Sequence, residues 1–224
     1  MPEVTRGARV RKPAGERRAE IVAEAAGIAL ADGLERVTLR AVAERLGVRP
    51  GLISHYFPAA ESLVVEAFAA AVTGDRERHL GRGAAGDDAG PLARLARFLG
   101  SVGTEEGIAQ ARLWLNARHL ARFSPALAGA LEEQERLDQD RLAELVREGV
   151  DAGAFRAADA RAASVRIFIA VDGFGAYANS AAIGDAAYAS FVVDASAWLL
   201  GLDPDELAAA VAAALDADDA DVVC

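Results

Sequence analysis

The stretch TLRAVAERLGVRPGLISH, Thr38 to His55, decides the fold of the N-terminal part of this chain. Thr38 can cap a helix by offering its side-chain oxygen to an orphan amide of the first turn. Leu39, Val42 and Leu46 then recur on one apolar face. Gly47 ends that helix, because glycine supplies the left-handed conformation of a tight turn without steric cost, and Val48 plugs the corner beneath it. Pro50 suits the first position of a second helix, where its missing donor would be unpaired anyway. Ile53 then turns inward towards Val42 and Leu46, and Ala43 is small enough to let the two axes cross closely. The spacing predicts a helix-turn-helix. A chance pair of core helices joined at Gly47 would explain the periodicity, but not the polar residues left over on the outer face.

That outer face holds Arg49, Pro50, Gly51, Leu52, Ser54 and His55. A helix laid in the major groove presents its N-terminal residues to base edges. Arg49 is the candidate guanine reader, since its planar fork can donate to O6 and N7 together, whereas Pro50 and Leu52 could at most touch a thymine methyl. Thr38, Arg40 and Tyr56 are expected to reach phosphate oxygens, which fixes register without reading sequence. His55 could instead be a general base or a structural histidine. It is one of three histidines, with no Ser and Asp set around it, which makes it a poor catalytic candidate.

The segment from Arg17 to Leu63 resembles the DNA-binding domain of the TetR family of bacterial regulators. The residues that carry this are RRAEIVAEAAGIALADG, then VTLRAVAERLGV, then the second helix running into SHYF and ESL. The string GLISHYFPAAESLV is more similar to the betaine-regulator branch than to the commoner form with tyrosine in place of Ser54. Two positions depart from the family. Ala60 stands where members usually carry a phosphate-touching lysine, and Arg49 replaces a small capping residue. The resemblance implies a three-helix DNA-binding domain at the N-terminus and a helical ligand-binding and dimerisation domain behind it.

Charge is divided accordingly. The chain of 224 residues has a net charge of -10. Residues 1–60 hold ten Arg or Lys against seven acids, giving +3, while residues 61–224 hold fourteen against twenty-seven, giving -13. Only the first part suits a polyanion. Arg6, Arg9, Arg11 and Lys12 lie in a segment without apolar period, expected to be a disordered basic arm. It is either a minor-groove arm or a solvated tail adding nonspecific attraction. The expected division is a basic arm over 1–15, the helix-turn-helix domain over 16–62, a helical domain over 63–215 and an acidic tail over 216–224.

Past Leu63 no strand alternation occurs, and the whole chain is expected to be all-α. A connecting helix should run from Ala59 to about Leu80, followed by a glycine-rich loop to Pro91 and a short helix to about Leu99. Thr104 should cap the next helix, and Ser124 with Pro125 should open a long one ending near Val150, closed by Gly149 and Gly153. Asp159 and Asp185 are expected caps of two apolar helices, and Asp203, with Glu206 three residues on, of a last one. The 216–221 tail should fray.

The two apolar helices, at roughly 160–180 and 186–200, carry too much hydrophobic surface for one small domain to cover. A homodimer through residues 160–200 is expected, with Ala170, Gly173 and Ala176 as small residues at a close approach. The alternative is that they form only the core of a monomer. A twofold dimer would set two recognition helices about one DNA turn apart, which implies a pseudo-palindromic double-stranded operator. The family resemblance further implies a cavity among the middle helices that receives a small-molecule inducer. Candidates for its lining are Trp114, Asn116, His119, Phe123, Phe168, Asp172 and Tyr177, aromatics plus one acid that could hold a cation such as a quaternary ammonium or a polyamine. They could equally be ordinary core, with Asp172 paired to Arg166 or Arg118.

Enzymatic chemistry finds little support. There is no phosphate loop, no metal-spaced His/Cys/Glu cluster, and no nucleophile beside a base, with His55, His79 and His119 scattered along the chain. No enzyme activity, cofactor or metal is therefore expected. Cys224 is the sole cysteine, which fits a reducing cytoplasmic compartment, and the first apolar stretch is broken by Glu20, Glu24 and Asp32, so no signal or membrane span is expected. The expected function is a ligand-responsive repressor, released from DNA by its inducer. The alternatives are an activator without an inducer, or a helical dimeric interaction module that does not touch DNA.

Overall fold

A computed structural model describes residues 13–81, 89–178 and 186–222. Within them the chain is all-helical, in ten α-helices joined by short turns and one 3₁₀ turn. The expected arm residues Arg6, Arg9, Arg11 and Lys12, most of the 81–91 loop, and the proposed cap Asp185 lie outside the described residues.

Helix α1 spans Ala14–Asp32. It begins two residues inside the stretch read as a disordered arm, because Pro13 precedes it and the Pro13 carbonyl accepts from Arg17 N at 3.0 Å. Its buried stripe, Ile21, Ala25 and Ile28, packs on α4 (Ala60–His79) through Leu63, Ala67 and Phe68. Between them lie the 3₁₀ turn Leu34–Arg36, α2 (Leu39–Arg45) and α3 (Pro50–Tyr56). The remaining helices are α5 (Pro91–Ser101), α6 (Glu105–Ala121), α7 (Pro125–Asp151), α8 (Ala160–Ala178), α9 (Ala186–Leu200) and α10 (Pro204–Val222).

The expected caps form where they are described. Thr104 Oγ1 accepts from Gly107 N at 3.1 Å, Ser124 Oγ from Leu127 N at 3.1 Å, and Asp159 Oδ1 from Ala162 N at 3.0 Å. Asp203 Oδ1 accepts from the Glu206 amide at 3.1 Å. At the end of α7 the Gly149 carbonyl accepts from Ala154 N and Phe155 N, and Phe155 folds back over that glycine. A Cβ there would lie 2.0 Å from the Phe155 ring, so the turn depends on glycine for space. The acidic end does not fray as expected. α10 continues to Val222, its alanine-rich composition favouring helix even as aspartates accumulate.

Two cores result. The first joins α1 to α4 with Leu113 and Ala117 of α6 and Leu127 of α7. The second joins α5, α8, α9 and α10 with Leu142, Leu145 and Val146 of α7. Helix α7 runs through both, and α4 reaches the second only through Leu80 just past its end; between the cores the facing positions of α4 and α7 turn polar: Thr73 and Arg76 on one, Gln134 and Asp138 on the other. No single described helix is long and apolar enough to cross a membrane.

Candidate nucleic-acid interface and internal cavity

The turn between α2 and α3 is built by the local chemistry of its sequence. Thr38 Oγ1 accepts from Ala41 N at 3.0 Å and caps α2. Gly47 has φ +62, and around it Val48 N donates to Ala43 O at 2.9 Å and Gly47 N to Glu44 O at 3.2 Å. Those two bonds are the paired closure of a helix end on a left-handed glycine. Val42, Ala43 and Ile53 are completely buried, and Leu39, Leu46 and Val48 pack partly against them. Arg49 takes the N-cap position of α3, where its donor-only guanidinium makes no cap, and Pro50 occupies the first turn.

Arg49, Pro50, Gly51, Ser54 and His55 are exposed, and Leu52 and Tyr56 half-buried; Thr38 and Arg40 are exposed at the start of α2. Their present partners are local. Arg40 Nε donates to Glu44 at 2.7 Å, the Ser54 hydroxyl to the Pro50 carbonyl at 3.2 Å, and His55 meets Tyr56 edge-on at 5.3 Å. A Cβ on Gly51 would meet nothing within 4 Å, so the fold does not require a glycine there.

The second feature is a cavity of about 160 Å³ between the two cores. Of the seven residues expected to line it, Trp114, Phe168 and Asp172 do. The other four do not. Asn116 faces the N-terminal head, where its Oδ1 accepts from Leu34 N at 2.7 Å and its Nδ2 donates to Glu35 at 2.7 Å. His119 and Phe123 contact each other at 5.8 Å, with Phe123 73% exposed. Tyr177 is 54% exposed and stacks on Tyr188. The reason is helical geometry: Gln110, Trp114 and Arg118, four apart, share the inner face of α6, and Asn116, two positions from Trp114, points the other way.

Asp172 is paired with Arg118 through two parallel bonds, at 3.1 and 2.7 Å, and Arg118 also donates to Glu135 at 3.1 Å. Arg76 bonds Asp138 at 2.5 Å and Gln134 at 2.9 Å. Burial pushes Asp138 up to about 7 against the pull of Arg76. Burial likewise raises Asp172, opposed by Arg118, and Asp75, opposed by His79, Arg78 and Arg76. Asp75, Arg76, Gln110 and Asp138 were not among the expected lining residues. Their signal is polar residues at core spacing: Arg76 lies four positions from buried Val72 and from buried Leu80, and Asp138 four from Leu142.

On α8, Ile169 is 65% exposed at the edge of the cavity it also lines, with Gly173 and Ala176 exposed on the same helix; on α9, Phe191 is 55% and Trp198 83% exposed. Ala170 does not belong to this face as expected. It is buried, because a three-residue repeat drifts around the helix, and Ile169 takes its place.

Residues 21–67, which contain this whole turn, match the family model of bacterial regulatory proteins, tetR family. The head is similar to the DNA-binding domain of that family. Solved structures share the fold over 80% or more of this chain. A transcriptional regulator from Saccharomonospora viridis, in complex with choline, is 20% identical with a TM-score of 0.65, covering 80% of this chain and 95% of that one. A TetR-family regulator from Rhodococcus sp. is 23% identical with a TM-score of 0.64, covering 84% and 96%. One from Cytophaga hutchinsonii is 18% identical with a TM-score of 0.69, covering 85% and 97%. No curated protein sequence matches the chain. The betaine-regulator branch has no counterpart in these likenesses beyond the fold.

Proposed function

We propose that this chain is a dimeric transcriptional repressor whose TetR-type head binds a pseudo-palindromic operator and leaves it when a small cation enters the internal cavity. The observation that carries the reading is the α3 face: a buried Ile53 underneath, and an exposed Arg49 with Pro50, Gly51, Ser54 and His55 outside. In this reading Arg49 donates to a guanine, Pro50 and Leu52 meet thymine methyls, and Gly51 lets the backbone approach the bases. Ser54 and His55 complete the groove face. Thr38, Tyr56 and Arg40, once Arg40 leaves Glu44, hold phosphates.

The working division is a DNA-binding head over 16–62 and a ligand and dimer domain over 63–215. Pairing through residues 160–200 is supported by the exposed apolar residues Ile169, Phe191 and Trp198, and would place two α3 helices about 34–36 Å apart. Cation entry is supported by the acid-rich cavity and by the choline held by the Saccharomonospora relative. Binding shifts the domain arrangement only if the ligand prefers one arrangement over the other.

The test is selection of genomic fragments by the purified protein at physiological salt, followed by footprinting. A protected pseudo-palindrome whose affinity falls steeply with salt supports the reading, since phosphate contacts release counterions. No enriched fragment overturns it in favour of a helical interaction module.

A further inference from the structure

The cavity lining carries four carboxyl groups, on Asp75, Glu135, Asp138 and Asp172, against two guanidiniums, on Arg76 and Arg118, and the His79 imidazole, whose Nε2 lies 3.5 Å from Asp75. Both guanidiniums are already shared, Arg76 with Asp138 and Gln134, Arg118 with Glu135 and Asp172. Acids outnumber bases there, from buried Asp138 to Glu135 and Asp172 nearer the opening, and a cation placed among them would favour their ionised forms. Among the described residues no group of three or more His, Cys, Asp or Glu is placed to hold a metal ion. An organic cation is the other candidate.

Gln110 decides its kind. The residue is 8% exposed and lines the cavity, and its Oε1 is buried without a partner. Its Nε2 donates to the Ala71 carbonyl at 3.4 Å, so turning the amide round would set oxygen against oxygen. A buried acceptor without a donor is costly, and a ligand hydrogen placed there removes that cost. A quaternary ammonium ion has no such hydrogen and is held instead by aromatic faces. Here the Trp114 ring already carries the Arg118 guanidinium, 5.4 Å from its centroid, and Phe98 and Phe168 meet each other edge-on at 5.7 Å.

We propose that the cavity takes a small organic cation bearing N–H donors, a primary or secondary ammonium, with Gln110 Oε1 accepting one of its hydrogens and the carboxylates facing its charge. The proposal rests on the reading of this cavity as the inducer site and specifies its chemistry. An apolar cavity of about 150 Å³ admits a benzene-sized molecule, so a volume of about 160 Å³ suits a short alkylammonium.

Calorimetric titration of the full chain with butylammonium and with butyltrimethylammonium tests this, repeated on Gln110→Leu and Gln110→Glu after a circular-dichroism check of folding. Butylammonium is expected to bind at least tenfold tighter to the unaltered protein. Gln110→Leu should reduce that preference to what the size difference alone contributes, and Gln110→Glu should retain or increase it. Tighter or equal binding of the quaternary ion, a preference untouched by Gln110→Leu, or binding of neither ion would each overturn the proposal. If neither ion binds but an operator is still selected, the regulator reading stands without this ligand class; if no operator is selected either, both fall.

Discussion

Asn116 of α6 accepts a hydrogen bond from the backbone amide of Leu34 at 2.7 Å, and Leu34 begins the short turn that precedes α2. Two residues away on the same helix, Trp114 lines the cavity. One helix therefore touches both the space between the cores and the segment that leads into the DNA-reading head. Replacing Asn116 by Ala leaves a donor of the nearly buried Leu34 without its partner, and should cost about 1–3 kcal/mol of stability. Denaturant unfolding gives the magnitude. Faster hydrogen exchange at the Leu34 amide, with exchange in α9 unchanged, would locate it.

Gly51 separates folding from recognition. Nothing lies within 4 Å of a Cβ added there, and the residue sits in a helix, so Gly51→Ala should stabilise the free protein by roughly 0.5–1 kcal/mol. On the proposed groove face the same methyl would stand between backbone and bases. Operator affinity should fall at least tenfold while the melting temperature rises. A variant that gains stability and keeps its affinity would remove α3's first turn from the groove.

Arg49 and Arg40 should differ in kind. Arg49→Ala is expected to relax preference at one base position at a cost of about 1–3 kcal/mol per half-site, whereas Arg40→Ala should weaken all sequences alike and lower the salt slope by about one. Competition binding with single-base operator variants distinguishes them. Unchanged preference in Arg49→Ala would withdraw the guanine assignment.

Asp138 makes stability depend on pH in a direction opposite to that of a surface carboxylate. Burial holds it up to about 7 in the folded chain, so between the ordinary carboxylate range and that value the native state binds more protons than the unfolded one. Its contribution is fully present below the unfolded value and lost as pH rises through about 7. Arg76 and Asp75 from α4, Gln134 and Glu135 from α7, and Asp172 from α8 with its Arg118 partner share this environment, and Asp75 and Asp172 are raised in the same sense. Unfolding midpoints should decline from pH 5 to pH 8, and Asp138→Asn should flatten part of that decline. Cation binding should release protons near neutral pH, which titrations in buffers of different ionisation enthalpy detect.

How much of this was legible in the sequence follows from the range of the interactions. The α2–α3 turn could be read because Thr38, Gly47, Pro50 and Ile53 each act within a few residues of their partners. Trp114, Phe168 and Asp172 were placed by residue type alone. Asn116 was misplaced by proximity in the chain, although a four-residue step from Trp114 would have led to Gln110 and Arg118 instead. The Arg76–Asp138 pair joins positions 62 residues apart, and no local rule brings α4 against α7. Asp172 had Arg118 and Arg166 as candidate partners, and only the packing of α6 on α8 selects Arg118.

The exposed apolar surface of Ile169, Phe191 and Trp198 also bears on how such a protein would be metered in a cell. If that surface is satisfied only by a second copy, the species competent to span an operator grows with the square of total chain when the chain is scarce, and linearly once it is abundant. Occupancy of a promoter would then respond to synthesis and degradation of the chain itself as a threshold, set apart from any metabolite. A chain scarce enough to remain single would leave its operator open even with the cavity empty.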